Sequence, residues 1–419
     1  MIRSSSHSLN FCNKNKKKIY NDLINEYRRV AKIVMDDIWD NGIVCGGGQE
    51  FNQKKNKLEL PKFISKLPLL KEKTWLSARM KQAINKQVLQ MIKSAVEKRR
   101  KQLFVLRKYQ QEGKPTKLLQ RKIDIQPLIK PTVINIKPEL DSRFVDFKFE
   151  KNFLFLRLAS IGNKIQLKIP IKETSVYNKW NSQANLKSCV RLTKKNIHLI
   201  FETNNKEIYG DEIVGADQGL LATLSLSNGT QTTSCPHGHD LSSIIKKLSR
   251  KKKGSKSFKR TQEHRLNYIN WSLNQLNFNN IKELRLEKIK NLRYKSKTNR
   301  NLSHWTYTLI KDKLIRLSET EGFVLKEVDN QFRSQRCSSC GWVRKSNRRG
   351  KTFVCTSCGY AADADSNAAS NLMIDLYEVP YWVRLKKINL KGFYWDLDGL
   401  FNSDQESIVP DARKNEINI

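Results

Sequence analysis

Nowhere does the chain run apolar for the roughly 18 residues that a membrane-crossing helix needs, and no hydrophobic leader segment can be read. A membrane-spanning or exported protein is not expected. The positive charge is spread along the chain instead of being gathered on one amphipathic helix, which also argues against a protein held on a lipid surface. Cysteine is sparse too: Cys12, Cys45, Cys189 and Cys235 are scattered without the spacing of a disulfide framework, so a reducing cytoplasm is expected. Gly46-Gly47-Gly48 lacks the following Lys-Ser/Thr pair of a phosphate-cradling loop and reads as a linker. Acid is the most telling deficit. With 40 Asp and Glu against 79 Lys and Arg, the 419 residues carry a formal charge of +39. Such a surplus repels itself in a compact state unless a polyanion neutralises it, which makes nucleic acid the expected partner. A hydrophobic content of 38% at this length still supports two or three domains with their own cores and excludes a disordered tail protein.

What is there changes character along the chain. Ser6-His-Ser-Leu-Asn-Phe11 alternates weakly and predicts a short strand. Leu23, Tyr27, Val30, Val34 and Ile38, at spacings of three and four, predict an amphipathic helix ending before Asn41-Gly42. A second helical region follows Pro61, with Trp75, Leu76, Met80, Ile84, Val88, Met91 and Ala95 on one side. Its other side carries Arg79, Lys81, Lys86, Lys93, Lys98, Arg99, Arg100, Lys101, Arg107 and Lys108, with hardly any acid at pairing distance, and so reads as a phosphate-facing helix. From Pro131 the period becomes two: Val145, Phe147 and Phe149, then Ile165, Leu167 and Ile169, then Leu199 and Phe201 predict antiparallel strands of a small barrel. Tyr177 and Trp180 fall in its loops, where they could stack on bases or pack at the rim.

Beyond Asn204-Asn205 a second region opens with Ile213-Val-Gly-Ala-Asp217, a buried strand ending on an acid and returning through a hairpin at Asn228-Gly229. The densest basic run follows, with Lys246, Lys247, Arg250, Lys251, Lys252, Lys253 and Lys256 read as a clamp on a phosphate backbone. Ile281 to Leu292 predicts a strand with Glu287 near its end and Glu283 on the surface. A helix from about Ser303 stops at Gly322, and Val324 to Val328 predicts another strand. After Tyr377 the chain turns acidic, which reads as a loose tail or as one that docks on basic surface.

Two constellations carry chemistry. Cys337, Cys340, Cys355 and Cys358 offer four thiolates at paired two-residue spacing, a closed tetrahedral shell for one structural zinc. The surrounding Arg336, Arg344, Lys345, Arg348, Arg349 and Lys351 are expected to touch a phosphate backbone. Cys235-Pro-His237-Gly-His239 is too short of ligands to complete a second site. Asp217, Glu287 and Asp365, from strand, strand and helix start, would repel one another without a divalent cation between them. Oxygen ligands of this kind select Mg²⁺ or Mn²⁺, and two such ions can activate a water against a phosphodiester.

Gly215-Ala-Asp217-Gln-Gly219, Leu248-Ser-Arg-Lys-Lys-Lys-Gly-Ser255, Leu286-Glu287-Lys-Ile-Lys-Asn-Leu292, Ser334-Gln-Arg-Cys-Ser-Ser-Cys-Gly341 and Cys355-Thr-Ser-Cys-Gly359 with Asp365-Ser-Asn-Ala-Ala369 carry a family likeness. From about Val214 to Leu372 the chain resembles the RuvC-like nuclease and zinc ribbon of the transposon-encoded TnpB proteins and of the compact type V CRISPR effectors. The resemblance implies an α+β multidomain protein. Residues 1–12 would be a first wedge strand, 13–130 an inserted helical recognition lobe and 131–205 a wedge β-barrel. Residues 206–331 and 361–378 would form an RNase H-like (RuvC) domain, 332–360 the ribbon, and 379–419 a tail without counterpart. It carries the three catalytic acids onto Asp217, Glu287 and Asp365, with Asp363 as the fallback for the third. Ala216 and Gln218 depart from the apolar residues usual around the first acid. It also implies an RNA-guided DNA endonuclease of the prokaryotic cytoplasm or nucleoid, with guide RNA and target DNA as partners, acting as a monomer or as a homodimer on the guide. No His-Asn-His motif is present, so one RuvC-like site would do all the cutting. A guided binder that does not cut, a nuclease without a guide, and a plain zinc-ribbon DNA-binding protein are the competing readings.

Overall fold

Tyr20, Leu23, Tyr27, Val30, Val34 and Ile38 line one face of α1 (Lys14–Asp40) and all are buried, each side chain contributing about 1.5–3 kcal/mol of transfer free energy for the larger apolar members. A computed structural model describes residues 1–40, 51–52, 57–58, 73–113, 115–125, 129–150, 153–220, 222–289, 304, 307–380, 382–383 and 386–408. The glycine run at 46–48 lies outside these residues. Two units, Met1–Asn204 and Asn205–Ile419, each have their own core.

In the first unit, α2 (Ala78–Gln111) starts at Ser77, whose side chain accepts a hydrogen bond from the Met80 amide, and buries Met80, Ala83, Ile84, Val88, Ile92 and Val96. Tyr27 of α1 donates its hydroxyl hydrogen bond to Gln87 of α2 at 2.6 Å. The short α3 (Lys117–Ile125) follows. Apart from a two-residue hairpin pairing Phe51–Asn52 with Lys57–Leu58, the strands form two antiparallel sheets. One has the order β1 (Ile2–Ser8), β7 (Asn196–Glu202), β6 (Asn185–Leu192), β2 (Glu139–Leu140); the other runs β3 (Val145–Glu150), β4 (Phe153–Leu158), β5 (Leu167–Ile171). The period-two pattern is strong in β4 and β5, where Leu154, Leu156, Leu158, Leu167, Ile169 and Ile171 all face inward. It fades in β3, where Phe149 is exposed at the hairpin end. Among the described residues of this unit these two sheets lie over one apolar core and are not bonded into a single closed barrel. Tyr177 and Trp180 are not in loops: both sit on α4 (Ser175–Asn181) and are buried, so they pack and do not offer faces to bases.

The second unit is built on a mixed sheet of order β9 (Ser225–Leu226), β8 (Glu212–Asp217), β10 (Ile281–Lys288), β11 (Val324–Asp329). β9 returns antiparallel to β8, whereas β8, β10 and β11 are parallel. Parallel neighbours need long crossovers, supplied by α5 (Leu241–Ser249) with α6 (Lys256–Asn274), and by α7 (Tyr307–Glu321). Central parallel strands are covered on both faces, hence the unbroken buried runs Val214-Gly215-Ala216 and Leu284-Arg285-Leu286. Ala216 pairs with Leu286, so Asp217 and Glu287 come next along adjacent strands at the same edge of the sheet.

The cysteine region adds β12 (Trp342–Val343) and the small sheet β13 (Arg348–Arg349), β14 (Thr352–Val354), β15 (Ala361–Asp363), which runs directly into α8 (Ala364–Leu372). The acidic tail is neither loose nor separate over its described part. β16 (Phe393–Trp395) pairs with β12 and with β17 (Leu400–Phe401), and Val343, Val383, Phe393, Trp395 and Leu400 share one small core. Its apolar side chains decide where it goes, together with the one pair Asp396–Arg336. Among the described residues no helix is long and apolar enough to cross a membrane.

Candidate functional site

Gly215 sets how closely α8 lies on β8. A Cβ built there would fall 1.9 Å from the Ala369 carbonyl oxygen and 3.0 Å from the Leu372 Cβ, so only glycine lets the helix down onto the strand. The helix begins at Asp363, whose carboxylate accepts hydrogen bonds from the Asp365 and Ser366 amides, both at 3.0 Å. The fallback acid is therefore committed as a cap. Asp365, in the first turn, is buried and takes Arg348 Nη2 at 3.1 Å on one oxygen and the Lys351 ammonium on the other.

Asp217 lies half-buried at the end of β8. Loss of solvation, then the charges of Glu287 and Asp365, push its carboxyl well above the usual range, against the pull of Arg348 and Lys351. Burial pushes Glu287 up to about 7, despite hydrogen bonds from the Asn330 side chain and the Gln218 amide, with Asp365 raising it further. Asp217 thus feels both other acids and Glu287 feels Asp365, and the pull of Arg348, shared by both, does not offset burial at either. Next to Asp217, the buried Gln218 Oε1 has no hydrogen-bond partner. Carboxylate oxygens with an unpartnered amide oxygen beside them are a donor set that fits a hard divalent cation, although the three carboxylates do not all come within 4.8 Å of one another as the thiols do.

The thiols converge more tightly. They are the one group of three or more candidate ligands among the described residues whose donor atoms all lie within 4.8 Å of one another. Cys337 and Cys358 sulfurs are 3.7 Å apart, and those of Cys340 and Cys355 3.6 Å. A tetrahedron with zinc–sulfur bonds of about 2.3 Å needs sulfurs ~3.8 Å apart, so the cluster can hold one zinc. Each pair ends in a glycine at positive φ, Gly341 at 79° and Gly359 at 75°, whose amide returns to the first cysteine's carbonyl at 3.0 and 3.1 Å. Around Cys235, the His239 carbonyl and the Gly238 amide close a turn, and no metal-ligating group forms there among the described residues.

The basic residues separate into kinds. Arg79, Lys86 and Lys93 are exposed on α2, while Arg99 donates to the Ile123 carbonyl and Arg100 pairs with Glu97. Lys246, Lys247, Arg250, Lys252, Lys253 and Lys256 are exposed around the turn from α5 to α6, with Lys251 half-buried. Arg344 is half-buried. Arg336 corrects the sequence reading: it is buried, and its guanidinium bonds the Trp395 and Cys337 carbonyls, Asn371 and Asp396, leaving it no phosphate to face. Glu283 is not a free surface acid, since its carboxylate bonds the buried Arg285. Sequence reasoning missed Arg285 and Arg333, which hold the carbonyls at the end of α8 (Met373; Asn371 and Ile374). An arginine inside an apolar strand, as in Leu284-Arg285-Leu286, was the signal available for the first.

Fold and site define a protein with a four-cysteine ribbon beside a mixed α/β sheet, and with acids at the place where two parallel strands meet a helix. A family model described as Cas12f1-like, TNB domain, matches residues 307–372, which span α7, the ribbon and α8. The CRISPR-associated endodeoxyribonuclease Cas12f1 of Sulfoacidibacillus thermotolerans is 33% identical over 138 residues, 33% of this chain and 32% of that protein. The TnpB-like protein of Aquifex aeolicus is 37% identical over 92 residues, 20% of this chain and 30% of that protein. The matches thus span about a third of each relative's length. A Cas12f1–sgRNA–target DNA complex solved by cryo-EM aligns with a TM-score of 0.46 at 13% identity, over 89% of this chain and 98% of that one. The chain is similar to TnpB-like proteins and compact type V CRISPR effectors.

Proposed function

We propose that the chain is an RNA-guided DNA endonuclease with one acidic site formed by Asp217, Glu287 and Asp365. The observation that carries the reading is the meeting of these three acids, from β8, β10 and α8, in a place where burial and mutual repulsion raise the carboxyls of Asp217 and Glu287. The order of β9, β8, β10 and β11 supports an RNase H-like frame for them. The names of the two matched relatives support a nuclease of the TnpB and Cas12f1 kind.

Asp217, Glu287 and Asp365 would hold two Mg²⁺ or Mn²⁺ ions, which when bound would supply an activated water and neutralise the leaving oxygen. The chain's own contribution is electrostatic. Arg348 and Lys351 hold Asp365 through the edge of the ribbon. A phosphodiester entering with metal would compete for both cations, and Arg348 can offer two parallel donors to its oxygens. Cys337, Cys340, Cys355 and Cys358 would hold a structural zinc with no position open to substrate. Exposed Lys246, Lys247, Arg250, Lys252, Lys253 and Lys256, with Arg79, Lys86 and Lys93 of α2, would grip guide RNA and target DNA by their backbones. Sequence would be read by base pairing with the guide, by a monomer or by a homodimer on the RNA.

The test is Mg²⁺-dependent cleavage of a DNA target matched to the RNA that copurifies with the chain. Wild type should cut and Asp217→Ala should not. Equal products from both, or no copurifying RNA, would remove the assignment.

A further inference from the structure

Asn367 and Asn371 lie one turn apart on α8 and are sealed from solvent, at 1% and 0% exposure. Neither is one of the acids or the thiols, and a buried primary amide is costly unless its donors and acceptor are used. Here they are used on the ribbon. Asn367 Oδ1 accepts from the Ser338 amide, inside the first cysteine pair, at 3.0 Å, and its Nδ2 donates to the Arg336 carbonyl at 2.8 Å. Asn371 Nδ2 donates to the same Arg336 carbonyl and to the Asn367 carbonyl at 2.8 and 2.9 Å, while its Oδ1 accepts from Arg336 Nη1 at 2.7 Å. Arg336 gives its other donors to the Trp395 carbonyl at 2.7 Å and Asp396 Oδ1 at 3.0 Å. Asp396 can come this near only because Gly341 has no Cβ, which would lie 2.6 Å from that oxygen.

These bonds form one continuous path. It starts two residues past Asp365, passes through the first zinc knuckle and ends on β16. Asp217 and Glu287 are fixed by the sheet itself; Asp365 alone arrives on a helix and needs a separate reference.

We propose that Asn367, Asn371, Arg336 and Asp396 are positioning residues, which register α8 on the first cysteine pair and on β16 and so set Asp365 against Asp217 and Glu287. The inference rests on the reading of those acids as ligands of a divalent cation. It gives the ribbon a second task beside gripping nucleic acid, and makes the segment at Phe393–Asp396 part of the site's support. Groups that orient a metal ligand from behind typically govern affinity by about 10- to 100-fold.

The experiment titrates Mn²⁺ into the full, zinc-loaded chain and reads free Mn²⁺ by its paramagnetic resonance signal, with zinc content measured on the same samples. Asp396→Ala should weaken Mn²⁺ binding by about 10- to 100-fold while zinc stays at one per chain, and Asp396→Asn, which keeps an acceptor oxygen for Arg336, should recover most of it. A role in stability alone would lower the melting temperature and leave Mn²⁺ affinity of the folded chain unmoved; that result overturns the proposal. Should Asp396→Ala lose zinc or fail to fold, Asn367→Ala leaves the Arg336–Asp396 pair intact and carries the same expectation and the same overturning result. Wild-type Mn²⁺ binding that Asp217→Ala does not weaken is a different failure: it removes the parent reading of the acids, and this inference with it.

Discussion

Gly215 of β8 and Ala369 of α8 touch backbone to backbone, with 1.9 Å between the Ala369 carbonyl oxygen and the place where a Cβ of residue 215 would stand. The strand that ends on Asp217 and the helix that begins beside Asp365 are spaced by this one contact. Gly215→Ala must move one of them. The expected outcome is a destabilisation of about 1–3 kcal/mol, typical of overpacking, together with a loss of cleavage larger than the lost folded fraction explains. Chemical denaturation and cleavage assays on the same preparation check both.

Glu287 gives a pH signature. Its folded pKa of about 7 lies above its ordinary 4.5, so the folded state without divalent cation binds the extra proton. Stability should therefore be highest below about pH 4.5 as far as this group is concerned, fall as pH rises toward 7, and level off above it. Glu287→Gln removes that penalty. In buffer freed of Mg²⁺ and Mn²⁺ by dialysis without chelator, its melting temperature should exceed wild type's clearly at pH 8 and little at pH 5, and added Mg²⁺ should cancel the advantage by stabilising wild type alone. Melting curves at the two pH values, with and without Mg²⁺, decide it.

Lys351 is half exposed and holds a buried carboxylate oxygen of Asp365 that a metal ion would need. Ammonium and metal compete. Lys351→Met should lower the Mn²⁺ concentration for half-saturation by up to roughly fivefold, a modest gain because the lysine is partly screened by water. Arg348→Ala should slow cleavage at saturating metal while leaving target binding intact. Metal titration and single-turnover rates separate the two roles, and a Lys351→Met chain with weaker metal binding would contradict the competition.

Removing zinc should loosen more than the cysteine loops. Trp342 pairs with Tyr394 across β12 and β16, and Trp395 is buried in the same small core. Cys358→Ser, or a strong chelator, should release one zinc and expose both tryptophans, seen as a red shift in fluorescence, while the sheet of β8, β10 and β11 keeps its circular dichroism. Simultaneous loss of the whole fold would contradict an independently folding ribbon.

Much of this was legible because it follows period or spacing. Leu23 to Ile38 repeat at three and four, and α1 buries them; Leu167 and Ile169 alternate, and β5 points them inward. Paired cysteines announce a metal shell at any distance from the rest of the fold. Long-range pairing was less readable. Nothing local in Arg336 distinguishes a phosphate-gripping arginine from one buried between Asn371 and Asp396, because the partners lie 35 and 60 residues away. The tail is hard to read for a related reason: its charges are conspicuous, but Phe393, Trp395 and Leu400 place it by packing with Val343, and Phe393 and Tyr394 pair with a two-residue strand too short to be recognised alone. Tyr177 and Trp180 read as loop residues in the sequence because a seven-residue helix leaves little periodic signal.

The pairing of β12 with β16 also dictates an order in time. A chain emerging from the ribosome presents Cys337 to Cys358 before Phe393, so the four thiols can take their metal while the strand that completes their sheet is still unmade. Arg336 must wait for Asp396. The support behind Asp365 thus cannot be complete until the segment at Phe393–Asp396 has also been made, whereas the four thiols can already have closed on a metal.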